Sequence, residues 1–456
     1  MGLDNDRVKT PEVIGYGMGN FAANFSASLL NSYLLIYMTD FVGASAALIG
    51  TIFLATRVFD GVSDLGMGFL IERTNTRWGK ARPWLLFTAP ILGLLLILTF
   101  NFPATLGING TTVFVACLYF IFNVFAYTAY AVSYNTLSNY ISHKEHDRMR
   151  LGSSSALFLF VAAAAAGFVP QYRSLLGGPR DGYSRVAIVF AIATILAILV
   201  TFFSTKERAS MKPKDKSSAS PKEMLKVMLG DRHFYMTVAV FFLVNATNVG
   251  SFNMIYFVKY YLGDENLNAY LTFAGLIPMA IGMFFAPALA KKLGMRKAFI
   301  CGICSSVIGS LISWLGGANV MFLALGMAIK AFGYAPAFAS ILAFIGNVGN
   351  YLYWKSGVPV QSVMFSATSA SQKLGAGFAA GMAGWLLTLG KYAPNAEVQP
   401  ESAIFVMRFS VIIWPVIMML GILVLLLGFG IMKKTDKIDL EIKEGKFANG
   451  RTWRDL

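Results

Sequence analysis

The amino-acid sequence predicts an all-α membrane protein of about twelve transmembrane helices, in two six-helix halves with both termini cytoplasmic. Three observations carry that expectation. Apolar residues make up 56% of the chain and charged residues only 13%, against about 25% charged in soluble globular domains. The apolar residues fall in charge-free runs that reach the roughly 20 residues a helix needs to cross lipid. The Lys and Arg residues collect on alternate loops, which fixes orientation.

The spans run in order. Residues 1–13 are polar, with no short apolar core before a small-residue cleavage site, so the run over 13–39 is expected to remain as the first span. Gly2 does not read as a myristoyl acceptor, because the required Ser/Thr position holds Asp6. Residues 41–71 form the second span despite interior charges. The charge-free stretch 83–143 holds two, broken at 101–110. Runs at 151–172, 186–205, 233–258, 266–290, 298–329 and 409–432, with segments near 320–348 and 358–390, complete the set.

With the N-terminus inside, 28 of the 38 Lys and Arg lie on inner segments. Five, Arg173, Arg180, Arg185, Lys259 and Lys391, lie on outer ones. The same bias explains the net charge of +15 without a nucleic-acid partner: basic inner loops face the anionic leaflet. The only long polar break, around 206–226, divides the chain into an N-terminal bundle (1–205), a cytoplasmic linker (206–230), a C-terminal bundle (231–432) and a cytoplasmic tail (433–456). The basic loop Arg73–Arg82 after the second span has a counterpart at Lys291–Lys297 six spans later, which suggests two related halves with a site between them at mid-membrane.

Enzyme chemistry finds no foothold. His143, His146 and His233 sit at loops or span ends, and no HExxH or Gly-x-Ser-x-Gly pattern occurs. Cys301 and Cys304 lie one helical turn apart inside a span with no second pair nearby, and read as small apolar packing.

Ionisable groups at mid-membrane cost several kcal/mol and are functional candidates by default. In the second span Arg57, Asp60 and Asp64 share one helix face, the two acids at i, i+4. Two carboxylates about one turn apart with hydroxyls nearby make an oxygen cage for a hard monovalent cation or a proton. Lys373 stands in the middle of the eleventh span, with Ser369 and Gln372 beside it. Lys330 in the tenth span reads equally as a functional or an interhelical group, and Arg408 as interfacial. Asn20, Asn24 and Asn31 in the first span, the stretch from Tyr127 to Asn135 in the fourth, and Asn245, Asn248 and Asn253 in the seventh offer donors and acceptors that suit sugar hydroxyls.

Arg57-Val-Phe-Asp60-x-x-x-Asp64, followed by Thr76-Arg77-Trp78-Gly79-Lys80-x-Arg82-Pro83, resembles the glycoside–pentoside–hexuronide:cation symporters, the family of the melibiose and glucuronide permeases. The start Gly15-Tyr16-Gly17-Met18-Gly19-Asn20 is similar to their first span. The resemblance implies a major facilitator fold in the cell membrane and sugar uptake driven by Na⁺ or H⁺, with no cofactor beyond the coupling ion and a monomeric working unit. By position it implies cation ligands at Asp60, Asp64, Ser63 and Thr128. It places substrate contacts at Asn24, Tyr127 and Lys373, to which Asn20, Arg57, Asn135, Ser369 and Gln372 are added as candidates.

Departures from the family pattern bear on the substrate. Two acids of the melibiose type are replaced by Asn24 and Ala131, and an arginine of the fifth span falls near Ala156. A pocket that keeps Arg57 and Lys373 but loses those acids tolerates an anionic sugar, such as a hexuronide or its glycoside, better than the melibiose type does. The acid-rich loop expected before the eleventh span reads Asn347-Val-Gly-Asn350-Tyr-Leu-Tyr353-Trp-Lys355, so an inner gate there must close by other contacts. A lipid or lysolipid carrier on the same fold is the alternative, and the polar fourth span speaks against it.

Overall fold

A computed structural model describes residues 8–142, 144–178, 180–208, 221–339 and 341–448. Among them the regular elements are helices. The long ones are α1 (Thr10–Tyr37), α2 (Ala46–Arg73), α3 (Arg82–Phe100), α4 (Gly107–Ile141), α5 (Glu145–Gly167), α6 (Asp181–Ser204) and α7 (Arg232–Tyr261). They continue with α8 (Leu267–Leu293), α9 (Met295–Leu315), α10 (Val320–Ala339 and Ile341–Ser356, either side of residue 340), α11 (Gln361–Leu389) and α12 (Glu401–Gly428). Nine helices among the described residues are long and apolar enough to cross a membrane. With α1, α10 and α11, the rods that carry many of the candidate polar residues, the expected twelve are accounted for.

Local chemistry sets the helix starts. Pro11 and Pro83 stand in the first turns of α1 and α3, where the missing N–H costs nothing. Asp231 caps α7 by accepting the N–H of His233 at 2.9 Å. Four rods carry single π turns, at Met38–Val42 after α1, Phe122–Tyr127 within α4, Phe257–Tyr261 at the end of α7 and Phe409–Ile413 within α12. Each inserts an extra residue and re-aims the turns beyond it, a feature concentrated at functional sites.

Three expectations are corrected. The run 151–172 is not one helix. α5 ends at Gly167, and Val169–Leu176 starts afresh with Pro170 in its first turn, because proline cannot continue the hydrogen-bond ladder. Residues 347–355 are not a loop but the inner segment of α10. Cys301 and Cys304 are exposed on α9 rather than packed, as thiols facing lipid would be. Gly2 and Asp6, linker residues 209–220, and tail residues 449–456 fall outside the described residues.

The chain groups into two compact units that interleave along the sequence. The first comprises Met1–Lys212, Ser251–Thr272 and Ala380–Met407. Helices α1 to α6 pack there through small residues and tyrosines. Tyr130 and Tyr134 of α4 donate to the carbonyls of Gly19 and Tyr16 at 2.7 and 2.9 Å. A Cβ at Gly19 would stand 2.4 Å from the Tyr134 ring, so only glycine permits that approach. At the inner side the Glu207 carboxylate accepts the backbone N–H groups of Lys80, Ala81 and Arg82 at 2.8, 2.9 and 2.8 Å. Those are orphan donors at the start of α3. Charge-assisted bonds contribute about 1.5–3 kcal/mol each. Glu207→Ala is expected to destabilise the protein by about 2–4 kcal/mol, since water replaces part of what is lost, while Glu207→Gln, which keeps acceptor oxygen, loses less. Thermal unfolding in detergent ranks the two, and equal losses would refute the capping role.

The second unit comprises Pro213–Gly250, Phe273–Ala379 and Arg408–Leu456. Its core gathers Phe241, Phe344, Val348, Trp354, Ile422 and Phe429. The last part of the linker and the first part of the tail are tied into it. Met224 and Met228 of helix Pro221–Leu229 are buried in that core. Asn350 donates to Asp439 at 2.8 Å and Trp354 Nε1 to Glu441 at 2.8 Å, both acids on helix Thr435–Lys443. Neutral residues at 347–354 thus find their acidic partners on the tail. Lys330 Nζ reaches the Val411 carbonyl of the α12 π turn at 3.4 Å, the interhelical role. Arg408 covers the Trp314 ring with its guanidinium 4.4 Å from the centroid.

Asp231, just ahead of α7, is 4% exposed and sits between Lys355 Nζ at 2.6 Å and the His233 ring at 2.9 Å. Burial opposes its ionisation, but the hydrogen bonds from His233 and Lys355 prevail and hold the carboxyl well below the usual carboxylate range. The folded pKa lies below the unfolded value near 3.9, so its contribution is full above that value and is lost as pH falls through it. Melting temperature is therefore expected to fall more steeply below about pH 4 in the parent than in Asp231→Asn, which lacks this titration. Parallel curves for the two would refute the assignment.

Candidate functional site

The Asp60 cluster is built by α2 and α4 inside the first unit. Asp60 is 3% exposed. Thr128 follows the α4 π turn, and its Oγ1 lies 2.6 Å from Asp60 Oδ1 and 3.1 Å from the carbonyl of Asn123, five residues back. Ser63 Oγ lies 3.0 Å from the Asp60 carbonyl and 3.2 Å from Thr128 Oγ1. One carboxylate, two hydroxyls and two backbone carbonyls thus converge. These are hard oxygen donors, the class that hard cations prefer. Among the described residues no three His, Cys, Asp or Glu side chains could hold a metal ion. A cluster centred on one or two carboxylates fits a monovalent ion or a proton better than a divalent one.

Arg57 leans away from this cluster. Its Nη1 is 3.5 Å from Asp60 Oδ2, well beyond the about 2.7–2.9 Å of a strong charged hydrogen bond. Its Nη2 instead donates to Asn31 Oδ1 of α1 at 3.1 Å. Tyr119 and Tyr127 stand close enough to interact with its charge. Asp64 is half-buried one turn beyond Asp60 on the same face. Thr128 thus holds Asp60 more closely than Arg57 does.

A second group lies on α1. Asn24 donates to Asn20 Oδ1 at 2.7 Å, and Asn20 donates to the Ser155 carbonyl of α5 at 2.9 Å. Tyr127 is half-buried and stacks on Phe122 across the π turn. Asn135 is exposed toward the inner part of α4. Ser369, Gln372 and Lys373 stand on α11 in the second unit, the first exposed and the other two half-buried.

Sequence reasoning missed an outer cluster in the first unit. Asp40, its side chain 0% exposed, accepts from Lys259 Nζ at 2.6 Å, Tyr260 at 2.7 Å and the Tyr392 hydroxyl, and from Thr39 at 2.9 Å. Asn395 donates to its carbonyl. Asp40 and its partners Lys259 and Tyr260 each ride on a π turn. The outer ends of α1, α7 and the α11–α12 connection are thereby held together. Alongside, α2 and α11 meet backbone to backbone, so that a Cβ at Gly384 would fall 2.1 Å from the Ala46 carbonyl. The available signal was an acid at the end of the first apolar run.

Residues 15–433 match the family described as MFS/sugar transport protein. The isoprimeverose transporter of Lactiplantibacillus pentosus is 26% identical, covering 96% of this chain and 91% of that protein. The inner membrane symporter YicJ of Escherichia coli is 27% identical, with 90% of each chain covered. The glucuronide carrier protein homolog of the same bacterium is 25% identical over 99% of both. Among solved structures, the D-xylose–proton symporter superposes with a TM-score of 0.62 at 13% identity, covering 91% of this chain and 97% of that one. The nucleoside transporter NupG superposes with a TM-score of 0.62 at 12% identity, with 91% and 99% covered. These two show the fold.

Proposed function

Because the chain belongs to the MFS/sugar transport protein family, we propose that it is a cation-coupled symporter, driven by Na⁺ or H⁺, that imports a sugar or glycoside by alternating access. The observation that carries this reading is the Asp60–Ser63–Thr128 oxygen cluster, buried in lipid-spanning helices with Asp64 one turn away. Several relatives of similar length are named as symporters or sugar carriers, which supports the same reading. Within it, Asn20, Asn24, Arg57 and Tyr127 contact the sugar, Lys373 with Ser369 and Gln372 serves the second half, and the working unit is a monomer in membrane lipid. The site binds rather than breaks bonds. No nucleophile–base pair is part of it.

Arg57 resting on Asn31 more closely than on Asp60 leaves a cation that an anionic sugar could engage. Arg57→Gln is expected to lower uptake of a glucuronide at least tenfold more than uptake of the matching glucoside. Equal losses would remove the anion-binding role.

The test of the reading is uptake of labelled glycosides, neutral and acidic, into vesicles bearing the full chain under imposed Na⁺ or pH gradients. Accumulation above the outside concentration under one gradient supports it and names the ion. No gradient-driven accumulation of any sugar overturns it.

A further inference from the structure

A cavity of about 250 Å³ lies in the first unit, beyond the Asn20–Asn24 pair toward the outer side. Ser28, Ser32 and Tyr33 of α1, Ser251 of α7, and Asn268 and Thr272 of α8 supply its polar lining. It contains five hydroxyls, one carboxamide and no charged side chain. Asn268 is 6% exposed and is fixed in place, donating to Tyr33 Oη at 2.8 Å and to the Gly167 carbonyl at 3.0 Å. Tyr33 in turn donates to the Ala166 carbonyl at 2.9 Å.

A helix break borders this cavity: α5 stops at Gly167, itself part of the lining. Irregular backbone at membrane depth is tolerated where it lines a cavity. Discontinuous helices are also where transporters place ligand sites. A buried, anchored carboxamide beside a broken helix in one polar space is more than packing requires.

The chemistry of the lining selects the ligand. The hydroxyls of Ser28, Ser32 and Ser251 can donate and accept, and the Asn268 amide oxygen accepts, its N–H groups being spent on Tyr33 and Gly167; these match sugar hydroxyls, while a carboxylate, sulfonate or phosphate would find no cation there. The volume lies below the roughly 300–1,000 Å³ of drug-sized sites, enough for one ring and too small for an acyl chain. Ser28 and Ser32 lie four and eight residues beyond Asn24 on α1, about 6 and 12 Å along its axis at 1.5 Å per residue.

We propose that this cavity is an outer subsite for the second, uncharged sugar unit of a disaccharide or glycoside whose first ring sits at Asn20 and Asn24. This deepens the symporter reading and rests on it. The substrate class becomes a two-unit glycoside with a neutral outer unit.

The test compares gradient-driven vesicle uptake of isoprimeverose, a neutral disaccharide, with that of methyl glucoside. Ser32→Leu, which fills the cavity, is expected to lower disaccharide uptake at least tenfold and change monosaccharide uptake less than twofold. Thr272→Val, nearly isosteric, is expected to lower disaccharide uptake threefold or more. A further measurement does not depend on the bulky variant: alkylation of Ser32→Cys, with Cys117, Cys301 and Cys304 replaced by Ser, should be slowed by isoprimeverose and not by methyl glucoside. Unchanged disaccharide uptake in both variants overturns the subsite and keeps the symporter. So does a parent that carries the monosaccharide alone, or an absence of protection at Ser32→Cys. A parent that accumulates no sugar overturns both.

Discussion

Asp60→Asn is expected to abolish gradient-driven sugar accumulation while leaving the protein folded in the membrane. Asparagine keeps the shape of aspartate and can still accept from Thr128, so the packing of α2 on α4 survives. What disappears is the charge. The parent holds a carboxylate at 3% exposure, and such a group is sustained at that depth by a bound cation or proton, or by a close charge partner. Arg57, at 3.5 Å and bonded to Asn31, is shared between two partners in this state. Removing the charge removes the reason for a cation to bind, and with it the coupling. The concentration ratio across the vesicle membrane should fall to about one. Thr128→Val deletes only a neutral ligand and should weaken apparent cation affinity roughly tenfold, about 1.4 kcal/mol, with maximal uptake preserved. If accumulation persists in both Asp60→Asn and Asp64→Asn, the pair is structural and the coupling site lies elsewhere.

Much of this architecture was legible because lipid leaves few choices. A charge-free run of adequate length must be a helix, and loop charge orients it. The i, i+4 spacing placed Asp60 and Asp64 on one face, and Ser63 and Thr128 then took positions around Asp60 that the motif implied. What the sequence hid has physical causes. A π turn depends on tertiary packing and leaves no composition signature, so the Asn123 carbonyl beside Thr128 could not be foreseen. Hydropathy could not reveal that Pro170 ends α5. Nor could it show that neutral residues at 347–354 meet acids nearly ninety positions later, since Asn350–Asp439 is a long-range pairing. The i, i+3 spacing of Arg57 and Asp60 likewise gives no sign that the shorter contact of Arg57 is to Asn31 on another helix.

Asp40 carries the second large expectation. Its carboxylate is wholly buried among Lys259, Tyr260, Tyr392 and Thr39. Truncating one partner of a buried pair costs about 3–5 kcal/mol, because the remaining charge is left uncompensated. A transporter has an outlet for that penalty which a rigid protein lacks. The outer ends of α1, α7 and the α11–α12 connection can separate and return Lys259 to water. Asp40→Ala should therefore shift the population toward an outer-open state rather than merely soften the fold. A shift of about 3 kcal/mol corresponds to about a hundredfold change in the ratio of states. In a background with Cys117, Cys301 and Cys304 replaced by Ser, a cysteine introduced by Ser251→Cys reports that change, since Ser251 lines the cavity beneath the cluster. Adding Asp40→Ala should speed its reaction with a membrane-impermeant maleimide applied from outside by at least tenfold. Gly384→Leu should act the same way by a separate cause, since its side chain would collide with the Ala46 carbonyl in the closed arrangement. Faster labelling in both variants would identify outer closure as a two-state element held by charge at one point and by close backbone contact at another. Unchanged labelling together with a lower melting temperature would make the Asp40 network a brace and nothing more.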